Sequence, residues 1–414
     1  MAKIHFITFG CSVNHSDSEL MAGLLSDEGH KIVDTPEKSD LIIINTCTVK
    51  NSAETKLYRE LKKHSDKKII VAGCIPQGEE KLAESELKDY TIIGTKQMIN
   101  VPFAVDETLK GNRVVILARE DNKRLLLPKI RENKTVEIIP INEGCIGSCT
   151  YCKTKQARGN IKSYAEIDIL NQVKEAVKDG VTQVWLTSQD TGAYGHDTST
   201  NIVELLNNIL QIEGDFVVRL GMINPNHALQ YLDGLTEILN HPKMFKFIHL
   251  PIQAASNSVL KDMNRKYTYE EYVEVVKTLR QNVEDLRIAT DVIIGFPSET
   301  SKDFKKTLDF VKELKPEVCN MSRYWKRPNT LAATMKPLPT KEVKERSIKL
   351  KEVFEKLARK EKESYKGKEV EVIVEDNKLA RTKNYIPVIL KNEYEIGQRI
   401  SLKINSVGAW DLKE

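Results

Sequence analysis

Short apolar runs alternate with helical patterns along the first 110 residues. The apolar runs lie at 4–8, 41–44, 69–72 and 91–93, and segments with helical spacing of apolar residues lie between them at 17–28, 53–63 and 79–87. Such alternation of strand and helix is typical of parallel sheets, because a crossover helix returns the chain to the starting edge. The pattern predicts an α/β protein whose N-terminal domain, residues 1–110, holds a small doubly wound parallel sheet.

The alternation resumes on a larger scale between residues 135 and 335. Six strand patterns, at 136–140, 183–187, 216–220, 245–250, 287–294 and 318–324, are separated by helical patterns at 166–179, 202–210, 229–239, 269–282 and 301–314. Six βα units are fewer than the eight of a closed barrel. We therefore predict a partial (β/α)6 barrel at 135–335, joined to the N-terminal domain by a charged linker at 111–134.

The last 80 residues pass from a helical pattern to a β pattern. Residues 336–363 predict a basic connecting helix, with an apolar stripe of Val343, Ile348, Leu350, Val353, Phe354 and Leu357. Residues 364–414 contain short alternating runs at 369–375, 386–390 and 399–404, which predict a small antiparallel β-barrel of OB-like kind. Such barrels often bind RNA, but this one has nine basic and eight acidic residues, so a β-appendage without that role is the alternative.

Composition and charge narrow the class of protein. The chain is 40% hydrophobic and 29% charged, its apolar runs are too short to cross a bilayer, and its first residues lack a signal-peptide pattern, so we expect a cytoplasmic protein. The net charge is +4. Residues 326–363 hold twelve Lys/Arg and six Asp/Glu, a surplus of +6, so the other residues sum to −2. This local excess is either a solvated helix face or a nucleic-acid contact.

Three cysteines follow the first strand of the predicted barrel. Cys145, Cys149 and Cys152 form a C-x3-C-x2-C array, called here the central triplet. A structural zinc site usually takes four ligands, whereas three thiolates on a four-iron cluster leave one iron open. An open iron is what a radical S-adenosylmethionine (SAM) enzyme uses to bind SAM, and the array, with Tyr151 before its last cysteine, resembles that signature. A zinc loop or unrelated cysteines are the alternatives.

Three more cysteines come directly after strands of the N-terminal domain. Cys11, Cys47 and Cys74 follow the first, second and third strand patterns, and are called here the N-terminal triplet. The C-terminal ends of parallel strands share one edge of the sheet, so these thiols can converge. We expect a second three-thiolate cluster there, with buried structural cysteines as the alternative. Cys319 lies inside a strand pattern and is expected to be a core residue.

Polar and glycine residues follow the other barrel strands, at the end where the central triplet lies. As candidates for binding SAM we name Gln189, Asp190, Gly192, Gln253, Ser256, Gly295 and Glu299. As candidates for binding the substrate we name Arg158, Arg323, Tyr324 and Arg327.

The whole chain resembles the methylthiotransferase family of radical SAM enzymes. The matching segments are 10–14, 45–49, 72–74, 144–152, 251–265 and 295–300. That family has an N-terminal domain with three cluster cysteines, a radical SAM partial barrel and a C-terminal TRAM domain. Residues 153–159 resemble the archaeal and eukaryotic branch that acts on N6-threonylcarbamoyladenosine (t6A) at tRNA position 37. One departure is Asn329, where the family often has glycine.

The resemblance implies cofactors, partners and roles for the two triplets. It implies two 4Fe-4S clusters, one per triplet, and SAM; the central triplet would serve SAM cleavage, and the N-terminal triplet would carry the sulfur. The implied partners are the tRNA anticodon stem-loop and an unidentified electron donor and sulfur source, with the protein as a monomer. Arg158 or Arg327 would then pair with the t6A carboxylate. A methylthiotransferase for isopentenyladenosine tRNA or a ribosomal protein, or a non-catalytic iron-sulfur RNA-binding protein, are the alternatives.

Overall fold

The computed structural model describes residues 1–48, 51–120 and 122–414. Val49, in one matching segment, and Asp121, in the predicted linker, lie outside the described residues. The strands of the N-terminal domain are β1 (Lys3–Thr8), β2 (Lys31–Ile32), β3 (Leu41–Thr46), β4 (Lys68–Gly73), β5 (Thr91–Gly94) and β6 (Val115–Ile116). Its helices are α1 (Ser12–Asp27), α2 (Asn51–Lys63), α3 (Cys74–Gly78), α4 (Glu80–Glu84) and α5 (Val101–Lys110).

The N-terminal strands form one parallel sheet in the order β2-β1-β3-β4-β5-β6. Strand β3 is apolar from Leu41 to Ile44 because both of its faces are covered. Leu41 and Ile43 pack with α1 and α5, while Ile42 and Ile44 pack with α2 on the opposite face. A parallel strand covered on both faces needs apolar residues at every position. The predicted doubly wound parallel sheet is confirmed.

Some N-terminal elements differ from the prediction. The pattern at 79–87 predicted one helix, and the structure has a shorter one there, α4 at Glu80–Glu84; the short helix α3, which begins at Cys74, was not predicted. Helix α5 was missed, although Pro102 at its start is a common first-turn residue. Strand β6 pairs with β5 inside the segment predicted as linker, so the linker begins after residue 116 rather than at 111.

The central domain contains the predicted strands and helices. Its strands are β7 (Val136–Pro140), β8 (Asn142–Glu143), β9 (Lys162–Ser163), β10 (Gln183–Thr187), β11 (Val217–Leu220), β12 (Phe247–His249), β13 (Arg287–Ile294) and β14 (Val318–Arg323). Its helices are α6 (Thr154–Arg158), α7 (Glu166–Lys178), α8 (Ile202–Leu210), α9 (Pro225–Gln230), α10 (Leu232–Asn240), α11 (Asn257–Asp262), α12 (Tyr269–Asn282) and α13 (Ser301–Leu314).

Six of these strands are parallel and follow one another in chain order. Strands β7, β10 and β11 form one sheet, and β12, β13 and β14 form another. Two parallel bridges, Val218 to Met244 and Met222 to His249, join the sheets. On the outer edge of β7, the Ser16 hydroxyl of α1 donates a hydrogen bond to the Ile138 carbonyl at 3.3 Å. The predicted partial barrel is confirmed, and the N-terminal domain packs against its first strand.

The C-terminal part consists of a long helix and a curled sheet. The helix is α14 (Thr340–Lys362), and the strands are β15 (Glu369–Asp376), β16 (Leu379–Thr382), β17 (Pro387–Ile389), β18 (Arg399–Lys403), β19 (Ser406–Val407) and β20 (Leu412–Lys413). The order is β18-β15-β16-β17-β20-β19, and all pairs are antiparallel except β17 with β20. The predicted small antiparallel β-domain is confirmed, as a half-barrel with one parallel pair.

Helix α14 buries Val343, Leu350 and Phe354, as its pattern predicted. Ile348 was placed on the same stripe, and this is wrong, because its side chain is 48% exposed. Residues three or four positions apart lie on the same face of a helix. Ile348 is five residues from Val343 and two from Leu350, so it lies off the buried face. Arg346, at the correct spacing, is buried instead.

The C-terminal sheet closes the N-terminal end of the barrel. Tyr385 packs its ring 5.0 Å from Phe245 and 4.6 Å from Phe247, which lies at the start of β12. Arg219 lies 5.1 Å from the same Tyr385 ring, and Gln183, the first residue of β10, donates a hydrogen bond to Glu375 at 3.0 Å. The sheet is therefore part of the barrel's packing, at the end opposite the central triplet. None of the described helices is long and apolar enough to cross a membrane.

Candidate active site

The central triplet lies on the loop that follows β7, at the C-terminal end of the barrel. All three thiols are free and partly exposed. Each sulfur receives a hydrogen bond: the Gly147 amide donates to Cys145 Sγ at 3.2 Å, the Thr154 amide to Cys152 Sγ at 3.3 Å, and Arg265 Nη1 to Cys149 Sγ at 3.1 Å. Such donors stabilise thiolates, the form that binds iron. Burial raises the pKa of the Cys145 thiol to about 11, so metal binding there must displace a proton.

The turn after α11 holds this cysteine loop in place. The Thr150 amide donates to the Met263 carbonyl at 3.1 Å, and the Thr150 hydroxyl donates to the Asp262 carbonyl at 2.8 Å. Asn264 Nδ2 donates to the Ser148 carbonyl at 2.9 Å. These contacts hold Arg265, which follows in the same turn, next to Cys149.

Arg265 is a site residue to which the sequence reasoning gave no role, although it lies in a segment that carries the family resemblance. Besides Cys149, its guanidinium donates to the Tyr267 hydroxyl at 3.1 Å and to Asn224 Oδ1. Asn224 Nδ2 in turn donates to Asp190 Oδ2 at 2.6 Å. Among the described residues no carboxylate contacts this guanidinium, so its charge faces the cysteine sulfur.

The N-terminal triplet lies where side-chain hydrogen bonds connect the C-terminal ends of strands β1, β3 and β4. Asn14 Nδ2 donates to the Thr46 carbonyl at 2.8 Å, and Asn45 Nδ2 donates to the Asn14 carbonyl at 2.8 Å. The Thr46 hydroxyl donates to the Ala72 carbonyl at 2.7 Å. These side chains connect the loops after β1, β3 and β4, which carry the three cysteines.

Close approach of these loops requires glycine at Gly10. Its φ is +132°, and a Cβ there would lie 2.9 Å from the Cβ of Cys47. The Cys11 thiol donates to Asn14 Oδ1 at 3.3 Å, and burial, with the nearby Cys11, raises the pKa of the Cys74 thiol. The structure therefore brings the three cysteines to one edge of the sheet.

A pocket between the domains is lined by Cys47 of the N-terminal triplet and by Lys153, the residue that follows Cys152 of the central triplet. Helix α3 begins at Cys74, the last cysteine of the N-terminal triplet, and helix α6 begins shortly after Cys152, the last cysteine of the central triplet. The two helices pack on each other, with Gly78 facing Ala157. The Thr95 hydroxyl adds a hydrogen bond to the Ala157 carbonyl at 2.6 Å. The pocket has an empty volume of about 320 Å³, and its lining includes Cys47, Glu54, Glu79, Lys153, Trp325 and Arg327.

Arg327 contributes a charge to this pocket that forms no ion pair with a carboxylate of the described residues, although Glu54 and Glu79 line the same pocket. Lys153, the other cation, is paired with Glu79 at 2.6 Å. Over the described ranges the Arg327 guanidinium forms no hydrogen bond or ion pair. Burial lowers its pKa, and the nearby sulfurs of Cys152 and Cys47, followed by the carboxylates of Glu54 and Glu79, oppose that shift, which places Arg327 near both triplets.

Arg158 has a different environment from Arg327. It is 2% exposed and its guanidinium donates to Asp17 at 2.7 Å and to Glu143 at 3.0 Å. Burial alone would raise the pKa of Glu143, but Arg124 and Arg158 lower it to about 2. Arg158 is therefore ion-paired inside the protein, next to the sulfur of Cys74, in a cluster where Asp17 and Glu143 also pair with Arg124 and Lys96.

Several residues predicted to bind SAM also have structural partners. Asp190 accepts hydrogen bonds from the Gly192 amide at 3.2 Å and from Asn224, and a Cβ on Gly192 would lie 2.5 Å from Ile223. The Ser256 hydroxyl donates to Asp303 at 2.5 Å. These contacts fix the loops after β10 and β12.

Gly295 and Glu299 lie under α14. A Cβ on Gly295 would lie 2.5 Å from Val343, and the φ of Gly295 is +78°. Glu299 accepts hydrogen bonds from Arg346 and, at 3.2 Å, from the Gly295 amide. Both residues therefore join the loop after β13 to the start of α14.

Other groups at this end of the barrel remain open to a ligand. Gln189 Oε1, Asn142 Oδ1 and the Tyr324 hydroxyl are buried and have no hydrogen-bond partner within the described part of the chain. Gln253, partly exposed, has a φ of +66° that turns the chain at the end of the fourth barrel strand. Unpaired buried polar atoms are costly, so their grouping beside the central triplet fits a polar ligand there.

The loop after β14 completes the pocket. Arg323 is exposed at the end of the strand, and the Tyr324 ring packs 5.6 Å from Phe296, which in turn packs 6.4 Å from Tyr151 of the central triplet loop. Asn329 has a φ of +60°, a conformation that glycine adopts freely and asparagine tolerates. This explains how asparagine can stand where the family often has glycine.

A search of the described residues finds no group of three His, Cys, Asp or Glu side chains placed to hold one metal ion. Thiolates that bind a four-iron cluster attach to different iron atoms, so they need not converge as the ligands of a single ion do. The two free-thiol triplets are thus suited in chemistry to clusters rather than to a single ion.

Comparisons with known proteins agree with this architecture. A family model described as "Uncharacterized protein family UPF0004" matches residues 3–94, and one described as "Radical SAM superfamily" matches residues 139–311. The chain is 38% identical over 400 residues to a "Probable threonylcarbamoyladenosine tRNA methylthiotransferase" of Pyrococcus horikoshii, with 94% of each chain covered. It is 44% identical over 363 residues to the human "Threonylcarbamoyladenosine tRNA methylthiotransferase", covering 85% of this chain and 62% of that one.

A solved structure shares the fold. The radical SAM methyltransferase TsrM of Kitasatospora setae superposes with a TM-score of 0.58 at 12% identity, covering 80% of this chain and 77% of that one. At this identity the likeness concerns the fold alone.

Proposed function

The chain belongs to the threonylcarbamoyladenosine tRNA methylthiotransferase family, and from this premise we propose that it replaces the C2 hydrogen of t6A at tRNA position 37 by a methylthio group. The central domain is a radical SAM domain. An aromatic C–H offers no leaving group and no proton that a side chain could remove, so radical chemistry is required. The observation that carries the proposal is a pocket lined by Cys47 of the N-terminal triplet and by Lys153, the residue after Cys152 of the central triplet, which also holds Arg327, a cation without an ion pair among the described residues.

We assign one 4Fe-4S cluster and SAM to the central triplet, and a second 4Fe-4S cluster to the N-terminal triplet. When bound, these groups supply the electron, the radical that removes the hydrogen atom, and the sulfur. The residues of the chain hold the thiolates and position the ligands. Arg265 and the Gly147 and Thr154 amides donate to the central sulfurs, and the open oxygens of Gln189 and Asn142 are suited to accept hydrogen bonds from SAM.

The acceptor base occupies the pocket between the triplets. A t6A base carries a carboxylate that isopentenyladenosine lacks, and a half-buried arginine is a strong partner for a carboxylate. Arg327 is assigned this role because its charge is unpaired, whereas the charge of Arg158 is used by Asp17 and Glu143. Arg158 instead positions the N-terminal triplet, next to Cys74.

Helix α14 provides a path for the phosphates of the anticodon stem. Val343, near its start, packs on Gly295 at the catalytic end of the barrel, and Glu361, near its end, pairs with Arg287 at the opposite end at 2.7 Å. At 1.5 Å per residue the helix is about 35 Å long. Its exposed side carries Lys341, Lys344, Lys349, Lys351 and Lys356, with the exposed Glu345 and Glu352 between them, so cations are in excess there. Cations along one face bind phosphates without reading the sequence.

The decisive assay offers three anticodon stem-loops to the anaerobically reconstituted protein with SAM, a reductant and sulfide. They carry t6A, isopentenyladenosine or plain adenosine at the target position, and mass spectrometry follows the methylthio mass increase. We expect turnover of the t6A stem-loop alone, because its carboxylate meets Arg327. Turnover of the isopentenyl stem-loop without turnover of t6A would overturn the acceptor assignment. SAM cleavage without any methylthio product on RNA would overturn the proposed reaction.

A further inference from the structure

Trp325 lies half exposed at the mouth of the pocket between the triplets. Its side chain is 50% exposed, and among the described residues its ring has no aromatic or cationic partner. Trp410, which is 42% exposed, differs because it packs on Phe354 with ring centroids 5.0 Å apart. A large aromatic ring open to solvent beside a polar pocket offers a flat face on which a planar ligand can stack.

The backbone around Trp325 is fixed on both sides. The Tyr324 amide donates to the Ile294 carbonyl at 2.8 Å, which continues the pairing of β14 with β13. Downstream, the Thr330 hydroxyl donates to the Arg327 carbonyl at 2.8 Å, and Gln156 donates to the Asn329 carbonyl at 2.6 Å. The ring is therefore presented by an anchored segment, which lowers the entropy cost of binding to it.

The charges beside Trp325 indicate the kind of partner. Arg323 and Lys326 are exposed, and Arg327 lines the pocket, so three cations lie within two residues of the ring. An aromatic ring among cations suits single-stranded RNA, whose bases stack on the ring while its phosphates meet the charges.

We propose that Trp325 stacks on a nucleobase next to the target adenosine in the anticodon loop. This inference rests on the proposed function. The target base must reach Cys47 and Lys153 inside the pocket, whereas Trp325 lies at its mouth, where the adjoining nucleotide of the same loop would lie. Stacking there would hold the loop in an opened conformation and would tolerate different bases, because every base offers a flat face.

The first test measures affinity of the iron-sulfur-loaded protein for a labelled t6A stem-loop by fluorescence anisotropy. We expect Trp325→Ala to weaken binding about tenfold or more, since loss of one base–aromatic stack has effects of this order. Trp325→Phe keeps a ring and should stay within about threefold of the parent. Phe103→Ala is the control, an exposed aromatic residue of α5 to which no binding role is assigned, and should bind as the parent does. Binding by Trp325→Ala equal to that of the parent overturns the proposal.

The second test identifies the base, with stem-loops that lack the base on one side of the target or on the other. If Trp325 stacks on that base, the parent and Trp325→Ala bind the corresponding abasic stem-loop equally, while the difference persists on the other one. A loss that is the same on both abasic stem-loops and on the intact one overturns the proposal. The outcome is separate from the proposed function: a parent protein that methylthiolates t6A but shows no Trp325 dependence refutes the stacking alone. A parent that shows the stacking but never modifies t6A refutes the reaction alone.

Discussion

Replacing Arg327 should change which acceptor the protein accepts. Arg327→Gln removes the charge and keeps a side chain of similar reach, and Arg327→Lys keeps the charge but loses the two-pronged geometry. The relevant comparison is between stem-loops carrying t6A and its neutral carboxamide analogue. Because only the carboxylate form can pair with the guanidinium, the two substrates separate this contact from general RNA binding.

The magnitude follows from the position of the guanidinium. It is partly buried and unpaired, so an effective dielectric constant near 20 is appropriate, and at a separation of about 4 Å the attraction is about 4 kcal/mol. Desolvation offsets part of this, and measured hydrogen bonds to charged groups contribute about 1.5–3 kcal/mol. A loss of about 2 kcal/mol corresponds to a decrease of about 30-fold in kcat/KM for t6A. We expect Arg327→Lys to lose less than Arg327→Gln.

The assay is single-turnover kinetics on both substrates, with iron content and 5′-deoxyadenosine formation measured for every variant. Arg327→Gln should lose activity on t6A and little on the carboxamide. Arg323→Gln is the matched control: its exposed cation should affect RNA affinity for both substrates alike. An equal loss on the acid and the carboxamide for Arg327→Gln would refute the pairing of Arg327 with the carboxylate.

Three further predictions concern the triplets and the C-terminal sheet. Replacing the three cysteines of the central triplet by Ala should halve the iron content of the anaerobically purified protein. Cys319→Ala, which removes a buried thiol outside the triplets, should leave the iron content unchanged. Zinc in place of iron would contradict the assignment of two clusters. Replacing the N-terminal triplet by Ala should leave reductive SAM cleavage and abolish methylthio transfer, and loss of cleavage in a folded variant would contradict this division. Tyr385→Ala should lower the free energy of unfolding by about 3 kcal/mol, measured as a lower midpoint of urea unfolding, because the Tyr385 ring fills the end of the barrel. Tyr394→Ala is the control. An unchanged urea midpoint for Tyr385→Ala would refute the packing role of Tyr385.

The elements of this protein could be predicted from the sequence because their causes are local. Strands β7, β10 and β13 begin and end at the predicted residues, since each is a short segment rich in apolar and β-branched residues. The placement of the six cysteines of the two triplets after strand patterns was also visible, because the spacing between a strand and its loop is a property of neighbouring residues. Helix α5 and the exposure of Ile348 were missed because a short or drifting pattern leaves the periodicity ambiguous.

What only the tertiary structure decided is which charges remain available for chemistry. Arg158 and Arg327 were equal candidates in the sequence, but Asp17, 141 residues before Arg158, pairs with the first, while no described carboxylate contacts the second. Arg265 reaches Cys149 across 116 residues. Likewise the C-terminal sheet, expected either to bind RNA or to be a β-appendage without that role, fills the end of the barrel through Tyr385. The periodicity of apolar residues predicts local helices and strands, because it depends on residues that are close in the chain. Pairing between distant charges depends instead on how the domains pack, and no local pattern encodes that packing.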